Sequence, residues 1–329
     1  MNKVKTFISD NVALVGLIAV ILIGVLVSSA FFTADNLTNV LRSASIMGIV
    51  SVGMTFVILC GSIDLSVSSV FSLCGYFFIA FAKQSIFLAL FVPLVAGAVI
   101  GLINGFLVTK MSIPAFVGTL ATMLLARGLV LVLTNEVSVN LGDLPPFLNF
   151  IGRGMFLGSF FSFPLILFIL VVVITSFMLK KRPFGRAMYI VGGNAEAAKL
   201  MGVSVTKTMF TAHALSGFMA ALGGIIFASR VGSAVPLAGT GYELYAIAAV
   251  VIGGAPLTGG VGKMSGTLFG ALIMGSFSNI FSMQNLLDPL WEKVVVGIIL
   301  LAVVLLQSIV MQGSTRRKKQ RDKEIKMAN

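Results

Sequence analysis

Residues 192–202 read GGNAEAAKLMG and lie at the centre of a polar segment, residues 180–207, between long apolar runs. Their pattern predicts one short helix over residues 195–201. Seven residues make about two turns, roughly 10 Å at 1.5 Å per residue. A helix this short is marginal alone in water, so a neighbouring surface must hold it.

The ends of this helix carry residues that suit helix termini. Asn194 is a good N-cap, and Glu196 places a negative charge in the first turn. Lys199 places a positive charge near the end, and Gly202 can adopt the left-handed backbone of a C-terminal cap. Spacing of i, i+3 and i+4 gives one small apolar face, formed by Ala197, Leu200 and Met201. That face suits either a partner's groove or the membrane surface, and both interpretations stay open.

The composition is that of an integral membrane protein with many spans. Of 329 residues, 58% are hydrophobic and 10% are charged, which excludes an ordinary soluble domain. The formal charge of +12 comes from basic residues between apolar runs and in the tail, where the positive-inside rule explains them. We therefore expect a lipid membrane, and no nucleic acid, among the partners.

Nearly uncharged runs of spanning length predict about ten transmembrane helices in an all-α fold. They lie at about residues 12–32, 43–60, 66–82, 85–108, 115–134, 160–179, 208–229, 244–262, 264–283 and 290–311. The first run has 21 residues, more than a signal-peptide core, so we expect it to be retained. Residues 1–315 then form one transmembrane domain, and residues 316–329 form a basic tail.

The basic residues also predict the orientation of the chain. An even number of spans puts both termini on one side, and the tail sequence RRKKQR at 316–321 favours the cytoplasm. With that orientation seventeen Lys and Arg residues lie inside and five lie outside. The polar segment 180–207 is then cytoplasmic.

Glu196-Ala197-Ala198 followed by Gly202 resembles the EAA-type coupling loop of permeases of ATP-binding-cassette (ABC) importers. Other motifs narrow the resemblance to permease subunits of bacterial monosaccharide importers of the ribose, xylose and galactose type. These motifs are Gly61-Ser62-Ile63-Asp64-Leu65-Ser66-Val67, Gly185-Arg186, Tyr189, Val191-Gly192-Gly193-Asn194 and Gly239-Thr240-Gly241-Tyr242-Glu243-Leu244. The family usually has glycine where this chain has Ser62 and Ser68. The similarity runs from about residue 36 to residue 307.

The resemblance implies a transmembrane permease subunit in the bacterial inner membrane that forms the pathway for a monosaccharide. The implied partners are a second permease subunit, identical or not, an ABC ATPase subunit that binds ATP and magnesium, and a sugar-binding protein outside. The implied ATPase-docking residues are Asn194, Glu196, Ala197, Ala198, Leu200, Met201 and Gly202.

No enzyme motif and no metal-ligand spacing appears in the sequence, so we expect no catalytic residue, metal or cofactor on this chain. The stretch Gly259-Gly260-Val261-Gly262-Lys263 is similar to a phosphate loop. It lacks the first glycine, because residue 257 is Leu, and Met264 replaces the Ser or Thr that would bind magnesium.

Two connections between apolar runs are broken by small residues, at 61–69 and 253–262. Non-helical backbone at membrane depth is tolerated where it is buried in protein or lines a wet cavity, so both connections are candidates for the pathway or its gate. An ordinary tight turn is the alternative. The candidate pathway or gate residues are Asp64, Ser66, Asn104, Arg127, Gly253 and Gly254.

Three of these polar residues have alternative roles. Asp64 is an ionisable group near membrane depth, and its alternative role is N-cap of the next helix, shared with Ser62 or Ser66. Arg127 lies within a span, where its side chain either snorkels to the outer surface or faces a wet interior, and we expect it to face protein and not lipid. Asn104, with Thr119 and Thr122, offers polar groups either to a sugar or to neighbouring helices.

Some features do not decide between functions. His213 stands on an apolar run and is expected to pack and hydrogen-bond. An ion-coupled secondary transporter of a small polar solute is the alternative function, and it would use Asp64 and His213. Residues 135–158 are expected to form a polar outer loop. Seven glycines predict close helix crossings: Gly101, Gly105, Gly217, Gly223, Gly224, Gly266 and Gly270.

Overall fold

The computed structural model describes residues 12–156, 161–283, 291–305 and 307, which are mainly helical. The helices up to the central polar segment are α1 (Val12–Val27), α2 (Ala34–Leu59), α3 (Val67–Phe81), α4 (Ile86–Thr109), α5 (Ala115–Thr134), α6 (Pro146–Arg153) and α7 (Phe163–Lys181). The later helices are α8 (Pro183–Gly193), α9 (Ala195–Leu200), α10 (Val205–Val231), α11 (Tyr242–Ile252), α12 (Met264–Met283) and α13 (residues 291–305). A 3-10 helix, Ser29–Phe32, follows α1. Two antiparallel ladders pair β1 (Val139–Asn140) with β4 (Ser233–Ala234), and β2 (Met155–Phe156) with β3 (Phe161–Ser162).

Six of the described helices are long and apolar enough to cross a membrane, namely α2, α4, α5, α7, α10 and α12. Three shorter apolar helices, α1, α3 and α11, lie among them. An all-α membrane fold is therefore confirmed, whereas the total of about ten spans stays a prediction. The basic tail, 316–329, lies outside the described residues.

The predicted run at 244–262 is wrong in its second half, because α11 ends at Ile252. Gly254, Gly259 and Gly260 have φ angles of +92°, +83° and +74°. A right-handed helix cannot contain such angles, and glycine adopts them without steric cost. The predicted break in the helix at 253–262 is thus confirmed.

Two helices were missed because polar segments were taken as loops. Residues 135–158 include α6, which begins after Pro145 with Pro146 at its first position and buries Leu148 and Ile151. The segment 180–207 holds α8 as well as the predicted short helix. A residue before proline avoids helical backbone, so the chain ends one helix at Lys181 and starts another at Pro183.

Glycines bring the backbones of neighbouring helices into contact, as the sequence predicted. A Cβ on Gly101 of α4 would overlap the carbonyl oxygen of His213 in α10. Farther along the same pair, a Cβ on Gly217 would overlap the carbonyl oxygen of Gly97. Helices α3 and α10 approach in the same way at Gly224 and Phe71. Close backbone approach is the packing that membrane helices use in place of a hydrophobic driving force.

Several connecting segments meet at each end of the bundle, whereas the segment before α11 reaches the start of α3, where the Gly239 amide donates to the Ser72 hydroxyl at 3.1 Å. At one end Val139 pairs with Ala234, and the Arg153 Nε donates a hydrogen bond of 2.7 Å to the carbonyl oxygen of Arg230. At the other end the amide of Gly260 donates to the carbonyl oxygen of Leu59 at 2.9 Å, next to the end of α8. Helices α2, α7 and α10 therefore run between an end with α6 and an end with α8 and α9.

Candidate docking helix and buried polar cluster

Helix α9 is the short helix that the sequence predicted, and both of its ends are capped. The Asn194 Oδ1 accepts a hydrogen bond from the amide of Ala197 at 2.9 Å. At the other end Gly202 has φ +76°, its amide donates to Lys199, and the amide of Val203 donates to the carbonyl oxygen of Ala198 at 2.9 Å. This pair of bonds is the Schellman motif, in which glycine takes the left-handed position. The caps hold a helix that its length alone would not stabilise.

The outer face of α9 is apolar and open. Leu200 is 91% exposed and Met201 is 62% exposed, whereas Ala198 is buried against the rest of the chain. Lys199 Nζ lies 2.8 Å from Glu196 Oε1, and both side chains are exposed. A surface ion pair of this kind adds little stability. The predicted face thus turns Leu200 and Met201 outward, with Ala197 at its edge.

Helix α8 holds α9 against the bundle. Its inner face buries Met188 and Val191, and the ring of Phe184 packs at 6.3 Å, centre to centre, from that of Phe56 in α2. The Tyr189 hydroxyl donates a hydrogen bond of 2.9 Å to the carbonyl oxygen of Gly262. Burial raises the pKa of the Tyr189 phenol, so the hydroxyl keeps the proton that it donates.

A buried polar cluster lies where the first broken connection enters the bundle. Its members come from the segment 62–66 and from helices α4, α5 and α10: Ser62, Asp64, Ser66, Asn104, Thr122 and His213. All six residues are at least 93% buried. Asp64, Ser66 and Asn104 were candidates from the sequence, which named Thr122 beside Asn104, and the fold brings these four together.

The Asp64 carboxylate is the centre of the cluster. Its Oδ1 accepts hydrogen bonds from the Ser66 amide at 3.0 Å, the Ser66 hydroxyl at 2.6 Å and the Asn104 Nδ2 at 3.2 Å. The bond to the Ser66 amide spans two residues, as in an Asx turn. Ser66, and not Asp64, occupies the N-cap position of α3, so the predicted capping role is corrected to a turn that precedes the helix.

Asn104 connects the carboxylate to α5. Its Nδ2 also donates to the Ser66 hydroxyl at 2.8 Å, and its Oδ1 lies 2.6 Å from the Thr122 hydroxyl, which must be the donor. The amide therefore uses both ends to join three elements. The threonine one turn earlier, Thr119, is buried too, but its hydroxyl donates to the carbonyl oxygen of Ala115 within its own helix.

His213 faces the other carboxylate oxygen. Its Nδ1 lies 4.0 Å from Asp64 Oδ2, and its Nε2 lies 3.1 Å from the Ser62 hydroxyl. Among the described residues, Asp64 Oδ2, His213 Nδ1 and the nearby Ser216 hydroxyl have no hydrogen-bond partner. Buried polar atoms are rarely left unpaired, so this side of the cluster suits a polar guest such as water or a hydroxyl group.

The remaining candidates lie around the cluster. Arg127 is half-buried, and its Nη2 donates to the Ser68 hydroxyl at 3.3 Å, so it contacts protein beside the cluster. Gly253 is the C-cap of α11, and a Cβ on Gly266 would overlap the carbonyl oxygen of Gly253. Gly254 follows with the left-handed φ described above. In the part of the chain that the structure describes, no hydrogen bond joins these three residues to Asp64.

Sequence reasoning missed that Ser62 and His213 belong to the same cluster as Asp64. Their spacing along the chain carries no signal, because 151 positions separate them. The usable signal was chemical, since a histidine on an apolar run needs a polar partner. Within the described residues, no group of three or more His, Cys, Asp or Glu side chains could hold a metal ion.

The chain is similar to known proteins over most of its length. The family model described as branched-chain amino acid transport system, permease component, matches residues 36–304. The chain is 39% identical to ribose import permease protein RbsC of Haemophilus influenzae, over 92% of this chain and 94% of that protein. It is 41% identical to RbsC of Bacillus subtilis, over 88% and 90%. It is also 34% identical to fructose import permease protein FrcC of Rhizobium meliloti, over 92% and 87%. No solved structure matches the chain.

The cluster yields a stability prediction with a matched control. Thr122→Val removes the donor to Asn104 and leaves a buried amide oxygen unsatisfied, so we expect the free energy of unfolding to fall by about 1–3 kcal/mol. Thr119→Val changes the same type of residue, one turn away, without touching Asn104, and should cost clearly less. Thermal unfolding of the purified proteins in detergent measures both. Equal midpoints for the two variants would contradict the hydrogen bond between Thr122 and Asn104.

Proposed function

This chain belongs to the family of transport-system permease components, and from that membership we propose that it is the transmembrane permease of an ATP-driven importer of a monosaccharide. The observation that carries the proposal is the 33–41% identity, over most of the chain, to permeases named for ribose, fructose and xylose. A further relative with 39% identity is named inner membrane ABC transporter permease protein YjfF, and this name favours a subunit of an ATP-driven importer over the ion-coupled alternative. The subunit forms the pathway and is not itself an enzyme.

The proposed assembly has three kinds of partner. A second permease subunit completes the pathway, an ABC ATPase subunit binds ATP and magnesium, and a binding protein delivers the sugar from outside. Residues 257 and 264 do not meet the requirements of a phosphate loop, so the proposal assigns ATP binding to a separate ATPase subunit. ATP binding would then shift the permease between inward-open and outward-open states through the docked helix.

The proposed location is the bacterial inner membrane, with about ten spans and both termini in the cytoplasm. The two ends of the bundle support this orientation. The end with α8 and α9 carries most of the basic connecting residues, Lys110, Lys180, Lys181, Arg182, Arg186, Lys199, Lys207 and Lys263. The opposite end carries Arg42, Lys83, Arg153, Arg230 and Lys293. Cytoplasmic connections are the ones that the positive-inside rule enriches in Lys and Arg.

The orientation is tested by labelling single cysteines from outside intact cells. Lys83→Cys and Arg153→Cys should react with an impermeant thiol reagent, and Lys199→Cys should react only after the cells are opened. Cys60 and Cys74 are buried, so they serve as the unlabelled background. Strong labelling at position 199 in intact cells would reverse the proposed orientation.

Docking of the ATPase is proposed for the exposed face of α9. Leu200 and Met201 supply apolar contact, and Asn194 and Gly202 fix the helix that presents them. The open space around Gly202 supports this use, because a Cβ there would meet no atom within 4 Å. Within this chain, a substitution at Gly202 therefore acts through the backbone of the cap and not through a steric clash.

Substitutions at Gly202 therefore allow docking to be tested with a matched control. Gly202→Val should unwind the cap, because a β-branched residue resists φ +76°, and the ATPase should no longer co-purify. Gly202→Asn is the control, since asparagine tolerates left-handed backbone. Glu196→Lys should also weaken docking, because it reverses the charge at the helix start. Both damaging variants should still insert. If they hold the ATPase as well as the parent does, docking on α9 is wrong.

The polar cluster is proposed as part of the pathway or its inner gate. It lies at the same end of the bundle as α9, where the segment 62–66 leaves α2. Hydroxyl and amide groups around a carboxylate are the groups that bind sugar hydroxyls, and the unpaired atoms of Asp64 and His213 face one another. Opening the cluster would expose these groups to the pathway.

Asp64→Asn separates the pathway role from a purely structural one. The asparagine Oδ1 can still accept from Ser66 and Asn104, so the protein should remain folded in the membrane. The charge opposite His213 is lost, and sugar uptake should fall about tenfold or more. Uptake of labelled sugar into vesicles, normalised to the amount of permease, measures this. Uptake equal to the parent's would leave Asp64 a turn residue alone.

A further inference from the structure

Three pieces of backbone meet beside the candidate docking helix. The amide of Gly260 donates to the carbonyl oxygen of Leu59 at 2.9 Å, and a Cβ on Gly192 would overlap that same oxygen. That Cβ would also lie 2.6 Å from the amide nitrogen of Gly260. We name this contact of Leu59, Gly192 and Gly260 the glycine junction. It joins the end of α8, the end of α2 and the loop 253–262.

On one side the junction is tied to α9 without a linker. Asn194 follows Gly193 directly, and its amide donates to the carbonyl oxygen of Ile190 at 3.1 Å, which ends α8. The same residue caps α9, and its carbonyl oxygen accepts from the amide of Ala198 at 2.9 Å. A hinge needs residues free to change their backbone angles. Asn194 is bonded to both helices, so α8 and α9 move together.

On the other side the junction leads to the polar cluster. Gly61 and Ser62 bond back to the last turn of α2, through amide contacts of 2.8 and 3.1 Å to Ile58 and Val57. Asp64 stands five positions after Leu59. A shift of the end of α2 therefore moves the segment that carries the carboxylate.

A second path runs from α9 to the same cluster. Ser204, four residues after the end of α9, caps α10, and its hydroxyl accepts a hydrogen bond from the amide of Lys207 at 3.3 Å. From Val205 to His213 the helix rises about 12 Å, at 1.5 Å per residue. The short helix thus connects to the carboxylate through the junction and to His213 through α10.

We propose that the glycine junction transmits the movement of α9 to the Asp64 cluster and to the loop 253–262, an inference that rests on the proposed function. Bare backbones in contact cannot absorb a displacement by changing side-chain rotamers, so a shift of α8 passes to both neighbours. The bond from Tyr189 to the carbonyl oxygen of Gly262 ties α8 to the same loop at a second point. Gly192, Gly260 and Tyr189 are thus positioning residues for transport.

The chain supplies a matched pair of variants to test this. Gly192→Ala forces α8 away from Leu59, whereas Gly193→Ala adds the same methyl group at the next position, where no atom lies within 4 Å. We expect Gly192→Ala to keep the ATPase, because Leu200 and Met201 are untouched, and to lower uptake about tenfold. Stimulation of ATP hydrolysis by the loaded binding protein should fall with it. Gly193→Ala should match the parent in all three measurements.

Retention of the ATPase distinguishes this inference from the docking proposal. If Gly192→Ala takes up sugar as the parent does, the proposed role of the junction is wrong and the docking proposal stands. If Gly192→Ala reaches the membrane but loses the ATPase, the role of the junction is also wrong, because Gly192 would then act on docking. If Gly192→Ala fails to accumulate, Tyr189→Phe decides, since it removes one hydrogen bond from a half-buried residue. We expect it to keep the ATPase and lower uptake about threefold. Parental uptake by Tyr189→Phe would overturn the inference.

Discussion

A carboxylate inside a membrane protein has to be satisfied by donors, and the inner half of this structure is arranged around that requirement. Asp64 takes three hydrogen bonds on one oxygen and faces His213 with the other. These contacts draw the start of α3 and the helices α4 and α10 to one point, and Asn104 brings in α5. Removing one partner of a buried charge costs far more stability than the intact pair contributes, because the remaining charge is left uncompensated. The contacts of Asp64 therefore fix these helices relative to one another.

The second constraint is the close packing of helix backbones at glycines, where no side chain holds the two helices apart. Glycines place α4 on α10 at Gly101 and Gly217, and they place α8 on α2 at Gly192. The first contacts lie inside the bundle, where they hold it rigid. The last lies between a helix at the end of the bundle and the segment that leads to Asp64. Glycine contacts between backbones thus pack the helices of the bundle and also join α8 to the segment that carries Asp64.

Features that depend on local chemistry were predictable from the sequence. Asn194 and Gly202 marked the ends of α9 because capping involves residues only a few positions apart. The break at 253–262 followed from its glycines. Helix α8 was missed because it is short and carries three glycines, which disfavour a helix, and its stability comes from packing on α2 and α7, which local sequence does not reveal.

The composition of the polar cluster was only partly predictable. Asp64, Ser66 and Asn104 were candidates because polar groups at membrane depth are costly. The pairing of Ser62 with His213 depends on how α10 lies against α2, which the spacing of residues along the chain does not determine. Arg127 faces protein as expected, because its contact with Ser68 avoids exposing a charge to lipid. The seven docking positions remain predictions from a resemblance.

The double capping of α9 also bears on the thermodynamics of assembly. Six residues that were unstructured before binding would lose about 1–2 kcal/mol of backbone entropy each, or about 6–12 kcal/mol in all, when a partner ordered them. Because Asn194 and Gly202 fold the helix in advance, this cost falls on the permease's own folding and not on the association. The proposed ATPase partner would then meet a surface whose shape exists before contact, which favours affinity although Leu200 and Met201 offer little area.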